Sequence, residues 1–289
     1  VKSNAVIVGY QGGASGPDAV AFASGWARAS GDRLIVVTVH PGSAPVGIGR
    51  VDAEWVAHER AAAEALLADA KTQVPSDVAV EFERVDAASA AHGIDDLVER
   101  EEAPLVVLGT FRPDHEARTF PGHTADRLFN GAGVPVAIIP HGYADSRGPA
   151  PLKRVACAFV DTPDGHVALE HATRIAAHLG AELRVLAVVP DTLVQPMTGD
   201  VGTFVGEQRK RWQQSLETAL AEVGERVPVT GELLEGPVAP ALTDLDPDTV
   251  DLLVCGSRGY GPVRRVLLGG ISARVVRNSR VPVVVVPRG

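Results

Sequence analysis

An internal repeat constrains this chain more than any other feature. Val134-Pro135-Val136-Ala137-Ile138-Ile139-Pro140 returns as Val281-Pro282-Val283-Val284-Val285-Val286-Pro287, an offset of 147 from 134 to 281. Gly109 returns as Gly256 and Gly122 as Gly269 at the same offset. Pro41 returns as Pro190, and Ala19, Ala23 and Ala27 return as Ala168, Ala172 and Ala176, at an offset of 149. Separated landmarks at nearly one spacing mark a tandem duplication, so what has to fold is about half of the 289 residues, twice. Half of this length is an ordinary domain size.

Within each half the apolar pattern alternates between strand and helix. In the first, Ala5 to Gly9, Leu34 to Val39, Val78 to Val85, Leu105 to Leu108 and Val134 to Ile139 read as strands. Between them lie helical stretches: one carrying Ala19, Ala23 and Ala27, then Glu54 to Ala70, Ser89 to Glu101 and Thr124 to Asn130. Strands alternating with helices at this rhythm predict a parallel sheet covered on both faces with right-handed crossovers. The predicted fold is α/β: two tandem Rossmann-like, doubly wound domains, each a five-stranded parallel sheet flanked by helices. The stretch from His141 to Pro151 has turn chemistry and no periodicity. Domains are therefore expected at 1–142 and 153–289, joined by a linker at 143–152.

Charge and cysteine content narrow the function classes. With 27 Lys and Arg against 36 Asp and Glu, the formal charge of −9 speaks against nucleic acid and anionic membrane as partners, since both select a basic face. Nothing approaches the roughly 20 apolar residues of a membrane helix. Residues 1–9 lack the long apolar segment of a signal peptide. The two cysteines, Cys157 and Cys255, sit in apolar strand-like runs, as core residues of a protein in a reducing compartment do. The expected location is the cytoplasm.

The stretch with the most chemistry is Cys255-Gly256-Ser257-Arg258-Gly259 continuing to Leu268-Gly269-Gly270-Ile271-Ser272. It follows a buried-strand run, 250–254, and leads into a helical one. Strand, glycine loop and helix start together bring backbone N–H groups to an anion. The spacing is neither that of a P-loop nor that of a dinucleotide fold. No nucleophile elbow is present, and His115 and His123 with Asp114 and Glu116 lack metal-ligand spacing and read as loop residues. His166, His171 and His178 read as surface or packing residues, and Trp212 as the anchor of its helix on the sheet.

This loop resembles that of the universal stress protein family, whose ATP-binding pattern is Gly-x2-Gly-x9-Gly-(Ser/Thr). Gly256, Gly259 and Gly269 match; Gly270 stands where Ser or Thr is usual, and Ser272 follows. The resemblance implies ATP, with Mg²⁺, held mainly by the second half. Asp161 matches the aspartate that holds the adenine-ribose end, and Val188 the residue whose backbone meets the adenine edge. Gly256, Gly259, Gly269, Gly270 and Ile271 match the phosphate and ribose loop, with Arg258, Arg264 and Arg265 nearby. In the first half the matching positions have drifted to Gln11, Arg112 and His123, with Thr124 next. The family's habit of pairing domains through their last strands implies an internal pseudo-dimer and allows a homodimer of the whole chain. A nucleotide-responsive regulator is expected, working through unknown protein partners. Slow ATP hydrolysis without an assigned general base, or an interaction module with decayed sites, remain the alternatives.

Overall fold

The computed structural model describes residues 4–40, 53–110, 122–131, 133–190, 201–257 and 270–287. They fall into two compact units, Val1–Pro151 and Leu152–Gly289.

The first unit runs β1 (Ala5–Gly9), α1 (Ser15–Ser30), β2 (Arg33–His40), α2 (Ala53–Gln73), β3 (Val80–Asp86), α3 (Ala90–Glu101), β4 (Leu105–Gly109), α4 (Gly122–Gly131), β5 (Val136–Ile139) and α5 (Tyr143–Ser146). Its strands pair in the order β3-β2-β1-β4-β5, all parallel. The second unit repeats the plan with β6 (Arg154–Phe159), α6 (Pro163–Leu179), β7 (Glu182–Val189), α7 (Val201–Val223), β8 (Val229–Glu235), α8 (Val238–Thr243), β9 (Leu252–Gly256), α9 (Gly270–Asn278) and β10 (Val283–Val286). Its order is β8-β7-β6-β9-β10, again parallel. Each unit is thus the five-stranded doubly wound sheet that the repeat predicts.

The reason is burial from both sides. Val6, Ile7 and Val8 of β1 and Leu252, Leu253 and Val254 of β9 are fully buried, as central strands under two helical layers must be. Helix α6 has clear start and stop signals. Thr162 caps α6, its hydroxyl accepting from Gly165 N at 3.2 Å, and Pro163 takes the first turn, where its missing N–H costs nothing. Gly180 ends the helix at φ 61°, a left-handed position that suits glycine. At the N-terminal edge of the second sheet, buried Asp251 accepts from Lys153 N and Arg154 N at 2.9 Å each and from the Arg154 guanidinium at 2.6 Å.

The stretch expected as a linker is largely built into the first unit. Gly142 N and Ala144 N donate to Asp18 of α1 at 2.9 and 2.7 Å, which starts the short α5. Tyr143 is buried edge-on against Phe22, with ring centroids 5.9 Å apart. Turn-forming residues hid an anchored turn, because the partner that anchors it lies far away in sequence.

Candidate functional site

In a doubly wound sheet the crevice opens outside the carboxyl ends of the strands on either side of the point where strand order reverses. In the second unit these are β6 and β9. A cavity of about 480 Å³ lies there. Its walls are apolar: Phe159 and Val160 follow β6, Leu186 and Val188 come from β7, Trp212 from α7, and Val238 and Leu242 from α8. Gly256 closes β9, and Ile271 and Ser272 enter from the first turn of α9. The polar side chains on this lining are few and engaged. Thr162 caps α6, and Ser272 Oγ donates to Gly256 O at 2.9 Å, fixing the start of α9 to the end of β9. Asp164 is the one carboxylate on the described lining.

The family of the chain follows from comparison with known proteins. The universal stress protein family matches residues 3–140 and again 151–287. The chain belongs to the universal stress protein family. Universal stress protein Rv2319c of Mycobacterium tuberculosis is 30% identical over 298 residues, spanning 98% of this chain and 99% of that one. Among solved structures, a universal stress protein from Archaeoglobus fulgidus superposes with TM-score 0.71 at 21% identity, over the full length of both chains. One from Pseudomonas aeruginosa superposes with TM-score 0.63 at 18% identity, over 99% of this chain and 93% of that one. At such identities these two likenesses speak to the universal stress protein fold.

Several expected site residues converge. Val188, Gly256, Ile271 and Ser272 all border the second unit's cavity, although the sequence separates the strand end at 188 from the loop that begins at 256. Gly270 opens α9 beside them, exposed, with open space where a Cβ would stand, and is not on the described lining. Gly259, Gly269 and the arginines 258, 264 and 265 lie outside the described residues.

Asp161 departs from the expectation. It is exposed, off the described cavity lining, with Oδ1 3.0 Å from His166 Nε2. Hydrogen bonds from His166 first and Ser215 second hold its carboxyl below the usual carboxylate range. The physical reason is register. Gly9 stands beside Leu108, and Cys157 beside Val254, so moving Leu108 by 147 to Cys255 makes Ala158 the counterpart of Gly9. That is the repeat's other offset, 149, and it carries Gln11 onto Val160, which faces the cavity. Asp161 is one residue further on and turns out toward α7.

The first unit has a matching cavity of about 530 Å³ between the ends of β1 and β4. Its lining is more hydrophilic, with Gln11, Ser15, Thr110, His123, Thr124 and His141 beside Gly9, Gly12, Gly13 and Gly109. Gly12 and Gly13 adopt φ 73° and 62°, which lets the chain turn directly from β1 into α1. Arg112, expected to replace the second loop glycine, lies outside the described residues.

Sequence reasoning missed Phe159, Leu186 and Trp212 as cavity walls. The signal for Phe159 and Leu186 was present in the repeat, because Tyr10 and Val37 of the first cavity map onto them at 149. Trp212 has no aromatic counterpart at that offset, where Ala63 stands. Cys255 also borders the cavity, and burial pushes its thiol up to about 12, so it serves as an inert wall.

Proposed function

We propose that the chain is an ATP-binding universal stress protein in which the second unit holds the nucleotide and the bound state is offered to protein partners as a regulatory signal. The observation that carries this reading is the convergence of Val188, Gly256, Ile271 and Ser272, the residues that match the family's nucleotide pattern, on one cavity at the sheet's switch point. Its apolar walls, with Phe159 and Trp212 among them, suit a planar base. The start of α9, tied to β9 by Ser272, borders the same opening, and a helix start of this kind suits phosphates, because first-turn N–H groups lack intrahelical partners. Mg²⁺ would travel with the phosphates and be held mainly by them and by water, as magnesium commonly is. Among the described residues no cluster of three or more metal-ligating side chains exists, and Asp164 is the carboxylate nearest to that role.

A second reading is favoured by two observations. Val160 offers no side-chain acceptor where the family's aspartate is expected, and Gly270 no hydroxyl, so this unit can also be read as an interaction module that has lost its nucleotide. A cytoplasmic setting and a homodimer belong to the first reading and are checked by fractionation and sedimentation.

Matched obstruction of the two cavities tests the site. Ile271 is 38% exposed at the mouth of the second cavity, and its counterpart at 147 is Thr124 of the first. Calorimetric titration with ATP and Mg²⁺ should find binding lost in Ile271→Trp and kept in Thr124→Trp. The reverse would move the site to the first unit, and no binding by the unsubstituted chain would favour the interaction module.

A further inference from the structure

The two units fasten the same helix to the same sheet end with different chemistry. In the first, the Tyr10 hydroxyl beyond β1 donates to Asp69 of α2 and accepts from Gln73 Nε2 at 2.8 Å. In the second, Phe159 replaces Tyr10 at the offset of 149, and Glu222 of α7 replaces Gln73. Between them stands His166, in the first turn of α6. Its Nε2 lies 3.0 Å from Asp161 Oδ1 and its Nδ1 2.9 Å from Glu222 Oε2. Phe159 packs edge-on to the imidazole at 5.3 Å between centroids.

Ionised carboxylates only accept hydrogen bonds, and a neutral imidazole donates from one nitrogen alone. Both contacts are satisfied together only by the imidazolium. Helix α7 is thereby tied to the start of α6, and its Ser215 adds a hydrogen bond to Asp161. The same helix carries Trp212, at helical spacing from buried Leu216, Ala219 and Val223, so the face that packs inward is also the face that walls the cavity.

We propose that His166, held as an imidazolium between Asp161 and Glu222, is a positioning residue of the second cavity, fastening α7 and with it Trp212 against the bound ligand and releasing them when it loses its proton. The functional consequence rests on that cavity being the nucleotide site. The charged groups facing His166 are Asp161 from the β6–α6 connection and Glu222 from α7, while β6 contributes the uncharged Phe159 ring. The Asp161 hydrogen bond first, and the Glu222 hydrogen bond second, raise the His166 pKa above its ordinary value. A raised imidazole pKa means that the tie is fully present below the unfolded value of about 6.5 and is lost as pH rises through the folded one. The corresponding tie in the first unit has no such response near neutrality, because burial and Asp69 push the Tyr10 hydroxyl up to about 12.

The experiment reads the tie without any ligand and then with one. The chain has three tryptophans, so an amide correlation spectrum gives three indole signals, and Trp212→Phe identifies the one from α7. Between pH 6 and 9 the Trp212 indole should shift in a single transition with its midpoint above about 6.5. That transition should vanish in His166→Gln and in His166→Arg, whose guanidinium remains charged throughout. A flat Trp212 signal, or one that titrates equally in His166→Gln, overturns the proposal. For ATP, affinity between pH 7 and 9 should fall at least about three-fold in the unsubstituted chain and remain constant in His166→Arg. A fall of the same size in His166→Arg overturns the link to ligand. If the indole titrates through His166 while ATP binds at no pH, the positioning role stands and the nucleotide reading fails.

Discussion

At the scale of single residues, small displacements decide what the second cavity can recognise. Gly165 shows how tightly the turn after β6 is wound: a Cβ there would lie 1.8 Å from Val160 O. The obstacle is backbone, so the turn itself would have to move. Gly165→Ala should therefore destabilise the chain by about 3 kcal/mol, read as a lowered denaturation midpoint. Asp161 makes the complementary point. Standing off the cavity lining, it acts through His166, so Asp161→Ala should weaken ATP binding by about three- to ten-fold rather than abolish it, as calorimetry at pH 7 would show. The family resemblance matches Asp161 to the site's aspartate, one residue beyond the cavity-lining Val160. Residue type was legible; register was not, although the offset of 149 that joins Ala19 to Ala168 already carried Gln11 to Val160. The His166 tie was hidden for another reason, since its second carboxylate, Glu222, is 56 residues distant and only the crossover of α7 brings it near.

At the scale of elements, strands and helices followed from pattern more directly. The runs at 105–108 and 252–256 are apolar throughout because both sheet faces are covered, and such runs leave little choice of structure. Helix starts follow local chemistry: Thr162 before Pro163 announces α6, and Ser89 announces α3 by accepting from His92 N at 3.3 Å. Thr162→Ala should cost about 1 kcal/mol of stability, measured by denaturant unfolding, because one helix-start N–H loses its partner. The short α5 was not legible, since four residues carry no periodicity and its start depends on Asp18 of a distant helix. Asp18→Ala should leave the N–H groups of Gly142 and Ala144 without their acceptor and cost about 1–3 kcal/mol, with faster hydrogen exchange confined to 142–146 if the loss stays local.

At the scale of the whole molecule, duplication produced two units with one plan and two differently furnished cavities. The first offers a hydrophilic lining and a tie through Tyr10; the second offers apolar walls and a tie through His166. Divergence after duplication fits a division of labour, in which one unit holds the ligand and the other need not. We propose the second unit as the working nucleotide site. Its most direct test is to purify the chain without stripping it, denature it, and count the adenine nucleotide released per chain, alongside Ile271→Trp. A single working site in the second unit predicts about one nucleotide per unsubstituted chain and none in the variant. Two per chain, or an undiminished count in Ile271→Trp, would contradict it.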